Sequence, residues 1–155
     1  MENDTRSKLI EMAAQLFAAK GFAAVSVREL TVAAQVNVSA ISYYFNGKEG
    51  LYRAVLKEQL EPMVQALELA KARECSSPAE RLEFYASQIA HVHLQRPFLS
   101  HLISSEVNYP TGQGGSIIED HVSQAHWFME TTLQEGVANG DFRGDLNILY
   151  SAIAL

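Results

Sequence analysis

The chain has 155 residues, of which 48% are hydrophobic, and its formal net charge is −6. This length suits one compact domain or two small helical ones and provides enough apolar residues for a core. The single cysteine excludes an internal disulfide, no apolar run reaches the roughly 20 residues that span a bilayer, and the N-terminal stretch lacks a signal-peptide pattern, so we expect a cytoplasmic protein.

The charge is distributed unevenly along the chain. Residues 1–57 contain seven basic and five acidic side chains, a net charge of +2, whereas residues 58–155 carry a net charge of −8. An even spread of negative charge would argue against nucleic-acid binding, but a slightly basic first third leaves that function open. The asymmetry alone is weak support for it.

Helical periodicity dominates the sequence and strand patterns are scarce, which predicts an all-α fold. The first helix is predicted over Thr5–Lys20, because its apolar residues recur on one helical face and Gly21 then favours a helix stop. The apolar residues of that face are Leu9, Ile10, Ala13, Leu16 and Phe17.

A second helix is predicted over Val27–Ala34. Ser26 and Glu29 have the spacing of a capping box, in which the serine hydroxyl accepts from the backbone N–H three residues further along. We expect Leu30 and Ala33 to face inward.

A short third helix is predicted over Val38–Tyr44, with Asn37 as its N-cap. The pair Asn46–Gly47 is typical of a turn. Lys48 then begins a long fourth helix, in which Pro62 is expected to cause a kink or weaken one turn.

The rest of the chain is predicted to form further helices. They extend over Leu82–Gln95 after a Ser77-Pro78 start, over Phe98–Val107, over Ile117–Ala138, and from Asp145 as an N-cap into a stretch that is still apolar at Leu155.

The second and third helices, separated by a three-residue turn, form a helix-turn-helix candidate. In such a pair the second helix enters the DNA major groove and the first lies across the backbone. Helical periodicity turns Val36, Ile41 and Phe45 inward. The outward-facing residues are Ser39, Ser42 and Tyr43, with Val38, Ala40 and Tyr44 at the margins.

Two cations flank this pair of helices. A lysine at the start of a helix meets the positive end of the helix dipole, so Lys48 is explained if it and the free amides face one phosphate. Arg28 lies in the first turn of the second helix, where it can fork onto the O6 and N7 atoms of guanine. The alternatives are a solvated lysine and an arginine that pairs with a nearby acid.

The stretch over residues 5–56 resembles the DNA-binding domain of the TetR family of bacterial transcriptional regulators. The resemblance rests on Phe17, the Gly21-Phe22 pair, the Ser26 cap, Ala33-Ala34, Tyr43, Phe45 and Lys48-Glu49, which occur in fixed order without gaps. It implies a helix-turn-helix domain at residues 1–47, joined by the long fourth helix to a helical ligand-binding and dimerisation domain at residues 48–155. We expect the second domain to be incomplete at its C-terminal end.

One position departs from the family pattern. The turn between the two helices commonly contains glycine in this family, and here it contains Gln35. If the backbone at this residue needs a positive φ, the glutamine is strained by about 1 kcal/mol.

The resemblance also implies roles for particular residues. It implies DNA contacts by Ser26, Val27, Arg28, Val38, Ser39, Ala40, Ser42, Tyr43, Tyr44 and Lys48. The candidates for a pocket that binds a small-molecule effector are Met63, Tyr85, His101, Glu106, His126 and Trp127. The alternative for Tyr85 and Trp127 is a place in the core, and for Glu106 it is a solvated helix end.

We expect neither a metal nor another cofactor. Helical metal ligands need a spacing of i, i+4, and among the five histidines only His126, with Glu130, has such a partner. Cys75 lies far along the chain from any histidine, and no nucleophile or phosphate-loop motif is present. The chain is therefore not expected to be an enzyme.

The resemblance implies a homodimeric repressor that binds a near-palindromic operator in double-stranded DNA and is released by a small-molecule effector. The fourth helix, which begins at the expected phosphate contact Lys48, is the expected lever between the two events. Two alternatives remain open: an activator of the same family and, from a different class, a helical small-molecule enzyme or carrier. No membrane partner is expected, and the DNA-bound form would be located at the nucleoid.

Overall fold

The computed structural model describes residues 2–148 and 151–152, with side chains described from Asp4 onward. Within those residues it contains helices and no strand, so the predicted all-α fold is confirmed. None of the helices in that part of the chain is long and apolar enough to cross a membrane. The helices are α1 (Glu2–Lys20), α2 (Val27–Ala34), α3 (Ser39–Phe45), α4 (Lys48–Ala72), α5 (Pro78–Gln95), α6 (Leu99–Asn108) and α7 (Gly115–Asn139).

The predicted helices α1 to α7 all occur, most with ends shifted by a few residues. The bounds of α2 are those predicted, because the Ser26 hydroxyl accepts the backbone N–H of Glu29 at 3.1 Å and fixes the first turn. The start of α5 at Pro78 is fixed in the same way, because the Ser77 hydroxyl accepts the backbone N–H of Glu80 at 3.2 Å.

The last predicted helix begins later than expected. Asp145 is not its cap, because the chain becomes helical only at Ile148 and Asp145 instead forms an ion pair with Arg143 at 3.3 Å. Ser151 and Ala152 are also helical. The predicted continuation to Leu155 lies outside the described residues.

The chain divides into two compact units. The first contains Met1–Leu60 and Arg96–Ile118, and the second contains Glu61–Gln95 and Glu119–Leu155. Helix α4 contributes residues to both units and continues through Pro62, whose missing N–H leaves the carbonyl of Glu58 without its helical partner. The division of function between residues 1–47 and 48–155 stays a prediction.

The first unit has its own apolar core. Its largest buried side chains include Leu9, Ile10, Phe17, Leu30, Ile41, Leu51, Tyr52, Leu56 and Leu102, which come from α1, α2, α3, α4 and α6. Leu30 faces inward as predicted, but the prediction for Ala33 was wrong: Ala33 is exposed and Ala34 is buried. Ala34 lies four residues after Leu30 and so returns closer to the same face of the helix.

The turn between α2 and α3 adopts a left-handed backbone conformation. Gln35 has φ 55° and ψ 45°, and its N–H donates to the carbonyls of Thr31 and Val32. Val36 closes the turn by donating to the carbonyl of Thr31 at 3.0 Å. A residue with a Cβ is strained at such a φ, so Gln35 stands where glycine would be relaxed.

A buried carboxylate in α6 holds α4 and the loop after α6 together in the first unit. Glu106 in α6 is only 3% exposed, and it accepts from the Tyr52 hydroxyl at 2.9 Å. The backbone N–H groups of Thr111 and Gly114 donate to the same carboxylate at 3.1 and 3.2 Å. Glu106 is therefore neither a solvated helix end nor an unpaired charge, because three residues, one in α4 and two in the loop after α6, supply its hydrogen bonds.

Tyr52 connects this carboxylate to the aromatic part of the core. Its ring centroid lies 5.1 Å from that of Phe17 and 4.9 Å from that of Phe22. Burial, and then the hydrogen bond to Glu106, raises the pKa of the Tyr52 hydroxyl, so the phenol stays protonated and remains a donor.

We predict that Gln35→Gly stabilises the protein. The substitution relieves the strain of the left-handed turn and should raise the free energy of unfolding by about 1 kcal/mol, measured by urea denaturation. Asn46→Gly is the matched control, because Asn46 has a similar φ of 58° and asparagine tolerates this region. A loss of stability in Gln35→Gly would contradict the strain argument.

We predict that Tyr52→Phe lowers the free energy of unfolding by about 1–3 kcal/mol, because it removes a donor from a buried carboxylate. Tyr109→Phe is the control, since Tyr109 is 79% exposed and its hydroxyl can be replaced by water at little cost. Equal effects of the two substitutions in urea denaturation would show that the hydrogen bond to Glu106 is unimportant.

Candidate nucleic-acid interface

Helix α3 is buried on one side and open on the other. Ile41 and Phe45 are 1% and 7% exposed and belong to the core of the first unit. Ser39, Ser42 and Tyr43 are exposed, with Tyr43 at 72%. The predicted sorting of this helix into an inward and an outward face is confirmed.

The start of α3 is fixed by Asn37. Its side-chain oxygen accepts both the backbone N–H and the hydroxyl of Ser39, each at 2.9 Å. Asn37 supplies a capping hydrogen bond as predicted, although α3 begins at Ser39, one residue later than expected, and Val38 occupies its N-cap position. The Ser39 hydroxyl is thereby held in place and keeps its lone pairs as acceptors.

The margins of the outward face are mixed. Val38 is 57% exposed, whereas Ala40 and Tyr44 are half-buried and pack against the core. The rings of Tyr43 and Tyr44 meet edge to face, with centroids 4.8 Å apart. The two tyrosines form one small aromatic surface at the end of α3, of which Tyr43 is the more accessible part.

The start of α2 lies in the same unit and presents a free cation. Val27 is half-buried against the core, and Arg28 is exposed. Arg28 forms no ion pair with any described residue, so the alternative of a salt-bridge partner is not realised in that part of the chain. The nearby Glu29 pairs instead with Lys20, whose ammonium group holds the pKa of the Glu29 carboxyl below its usual range.

Lys48 has structural partners that the sequence did not reveal. Its Nζ donates to the carbonyls of Phe22 and Val25 at 3.0 and 2.9 Å and lies 4.3 Å from the centroid of the Phe22 ring. Hydrogen bonds from a charged donor contribute about 1.5–3 kcal/mol each, more than the 0.3–1 kcal/mol or so by which a helix N-terminus disfavours a cation. The two carbonyls therefore account for a lysine at this helix N-terminus, and no DNA phosphate is needed to explain it. One of the three N–H donors of Lys48 remains available.

The six predicted effector contacts are divided between the two units. His101 and Glu106 belong to the first unit, where His101 is exposed and Glu106 binds Tyr52. The other four belong to the second unit, where Met63 and His126 are half-buried, Tyr85 is buried and Trp127 is 62% exposed. Trp127 is thus not a core residue.

The second unit has a small core of its own around Tyr85. This core consists of Leu67, Ala70, Tyr85, Ala125 and Phe128, and the rings of Tyr85 and Phe128 meet edge to face at 5.2 Å. Tyr85 is therefore a core residue of the second unit.

Sequence reasoning missed His121, which precedes Ala125 by one turn of α7. His121 is only 6% exposed, and its Nε2 has no hydrogen-bond partner among the described residues. Burial, and then the charge of Lys71, lowers the pKa of the His121 imidazole, so the ring is held neutral. Only the helix packing reveals this, because the five histidines look alike in sequence.

No described residues form a group of three or more histidine, cysteine, aspartate or glutamate side chains that could hold a metal ion. The pair His126 and Glu130, the one with suitable spacing, lies 3.9 Å apart, with Nε2 facing Oε2.

Comparison with known proteins gives a consistent result. Residues 9–55 match the family model described as bacterial regulatory proteins, tetR family. The probable HTH-type transcriptional regulator YttP of Bacillus subtilis is 31% identical over 138 residues, which are 88% of this chain and 66% of that protein. The HTH-type transcriptional repressor KstR2 of Mycolicibacterium smegmatis is 29% identical over 151 residues, 92% of this chain and 70% of that protein.

Solved structures share the fold. The TetR family transcriptional regulator PfmR from Thermus thermophilus superposes with a TM-score of 0.81 at 23% identity, covering 94% of this chain and 79% of that one. This chain spans slightly under two thirds of the length of YttP. The match over residues 9–55 and the 31% identity to YttP show that the chain belongs to the TetR family of bacterial regulatory proteins.

Proposed function

We propose that this protein is a transcriptional repressor that binds operator DNA through α3 and is released by a small-molecule effector. The observation that carries the proposal is the construction of α3: its inner face is anchored in the core by Ile41 and Phe45, and its outer face is small, polar and aromatic. A helix that enters the major groove needs this combination of a rigid inner side and an accessible outer side.

The residues of the outer face have separate roles in this proposal. Ser39 and Ser42, with Val38 and Ala40 beside them, face the base edges, because short side chains let the helix approach closely. Tyr43, Tyr44 and Ser26 place hydroxyls near phosphates. Arg28 and its neighbour Val27 face the groove from α2, and Lys48 donates its remaining N–H to the DNA backbone.

The proposed DNA-bound form is a homodimer. Two copies of α3 would enter successive major grooves of a near-palindromic operator, with half-sites one helical turn or slightly more apart. The net charge of −6, with most acids beyond residue 57, would limit non-specific binding while the first third of the chain keeps a net positive charge. Such a protein acts in the cytoplasm and is bound at the nucleoid.

A repressor is favoured over an activator because relatives such as KstR2 are named as repressors. The two roles use the same DNA interface and differ in where the operator lies relative to the promoter. Because the chain belongs to a family of DNA-binding regulators, we do not propose the alternative function of a helical small-molecule enzyme or carrier.

The proposed effector site lies in the second unit, beside the cluster formed by Tyr85, Ala125 and Phe128. Buried polar groups are nearly always hydrogen-bonded, and the Nε2 of His121 is not bonded to any described residue. An effector with a largely apolar body and one hydrogen-bonding group would match these surroundings. Met63 and His126, both half-buried, remain candidates for its outer contacts.

A gel-shift experiment with genomic fragments at low salt tests the proposed function. A repressor of this type should shift a small set of fragments upstream of genes, and a reporter placed behind such a fragment should be silenced. The absence of any shifted fragment would reject DNA binding, and activation of the reporter would reject repression.

We predict that Arg28→Ala weakens operator binding by about 1–3 kcal/mol and relaxes the base preference at one base pair of each half-site. Binding to random DNA should change much less, because the proposed partner of Arg28 is a base and not a phosphate. Arg143→Ala is the matched control, since Arg143 is also exposed but lies in the second unit. An equal weakening of binding to operator and random DNA would contradict the assigned role.

We predict a loss of stability in acid that depends on His121. Its pKa is lowered by burial, so below the ordinary value of about 6.5 the unfolded chain binds a proton that the folded chain does not. The free energy of unfolding should therefore fall as the pH decreases from about 6.5 to the pKa that His121 has in the folded protein. Urea denaturation should show that stability falls less with decreasing pH in His121→Gln than in the unsubstituted protein. The control His91→Gln, which replaces an exposed histidine, should lose as much stability as the unsubstituted protein.

A further inference from the structure

The cations of the first 57 residues differ in whether the fold already uses them. Most have a hydrogen-bond acceptor nearby: Lys8 pairs with Asp4, Lys20 with Glu29, Lys48 with two carbonyls and Arg53 with Gln113. Arg6 forms no ion pair with a described residue. Its guanidinium group is thus available to an external anion.

Arg6 nevertheless has one contact with the fold. Its Cζ lies 5.6 Å from the centroid of the Phe45 ring, and Phe45 is the last residue of α3. An arginine stacked on a ring can keep the N–H groups at the edge of its plane free, and their fork geometry matches a phosphate. The contact therefore places the guanidinium group of Arg6, a residue of α1, beside the C-terminal end of α3, the helix proposed to enter the groove.

The position also agrees with the neighbouring residues. Tyr43 and Tyr44, the proposed backbone contacts, directly precede Phe45 in α3. The Tyr44 ring centroid lies 6.2 Å from that of Phe45, so the Tyr44 ring and the Arg6 guanidinium both lie beside the Phe45 ring. Lys8 differs, because its ammonium group is 2.8 Å from the Asp4 carboxylate and its position on α1 is about 200° away from Arg6.

We infer that Arg6 is a DNA-phosphate contact of this protein, supplied by α1 and positioned by the ring of Phe45. The inference rests on the proposed DNA-binding function and adds a fourth element, α1, to an interface otherwise made by α2, α3 and the start of α4. Because a phosphate contact carries no sequence information, Arg6 should contribute equally to operator and random DNA.

The competing explanation is purely structural. An arginine beside the C-terminal end of α3 also interacts favourably with the helix dipole and covers the Phe45 ring. A structural role would change the stability of the fold but would leave the number of counterions released on DNA binding unchanged. The salt dependence of binding therefore separates the two roles.

The test uses the full chain and a random-sequence duplex of about 30 base pairs, so that no operator needs to be known. The affinities of the unsubstituted protein, Arg6→Gln, Arg6→Lys and the charge-matched control Lys8→Gln are measured by fluorescence anisotropy across a salt series. Thermal unfolding of each variant establishes that it is folded at the temperature of the measurement.

Arg6→Gln should weaken binding at low salt by about tenfold and reduce the slope of log K against log salt by about 0.9 for each phosphate that is no longer neutralised. Arg6→Lys should restore the slope, and Lys8→Gln should leave it unchanged. An unchanged slope in folded Arg6→Gln, or the same reduction in Lys8→Gln, would overturn the inference. If the unsubstituted protein fails to bind any duplex, the proposed function fails instead, and that result is distinct from a failure of the role of Arg6.

Discussion

The ammonium group of Lys48 is the contact on which the geometry of the proposed interface most depends. It lies at the start of α4, directly after the turn that ends α3, and it donates to the carbonyls of Phe22 and Val25. Val25 immediately precedes Ser26, the cap of α2. One cation therefore joins the chain segments that begin α2 and end α3, and two hydrogen bonds from a charged donor outweigh its unfavourable place at a helix N-terminus.

The aromatic contacts extend this junction to a buried carboxylate. The Phe22 ring lies against both Lys48 and Tyr52, and the Tyr52 hydroxyl donates to Glu106. Glu106 in turn accepts from the backbone of Thr111 and Gly114 in the loop after α6. Helix α6 and its loop are thus held to the same core that supports α2 and α3, through contacts in which the buried phenol and carboxylate are both hydrogen-bonded. A rigid support of this kind suits a helix that is proposed to present short side chains to base edges at fixed positions.

Local sequence patterns predicted the parts of the fold that depend on local interactions. The bounds of α2, the capping of α3 by Asn37 and the inward position of Ile41 follow from hydrogen bonds and periodicity within a few residues. The positive φ at Gln35 was open to prediction for the same reason. The partners of Lys48, 23 and 26 residues away, and of Glu106, 54 residues from Tyr52, depend on how the helices pack. The same holds for the histidines, since packing alone buries His121 and exposes His101.

The central claim is that the exposed face of α3 reads DNA as one half of a symmetric pair. Selection of bound duplexes from a random-sequence pool tests it most directly, because it reports sequence, spacing and symmetry together. We expect enrichment of a near-palindrome whose half-sites lie about one helical turn apart, roughly 10 base pairs or slightly more. Enrichment of sites without two-fold symmetry, or no enrichment over the starting pool, would contradict the claim.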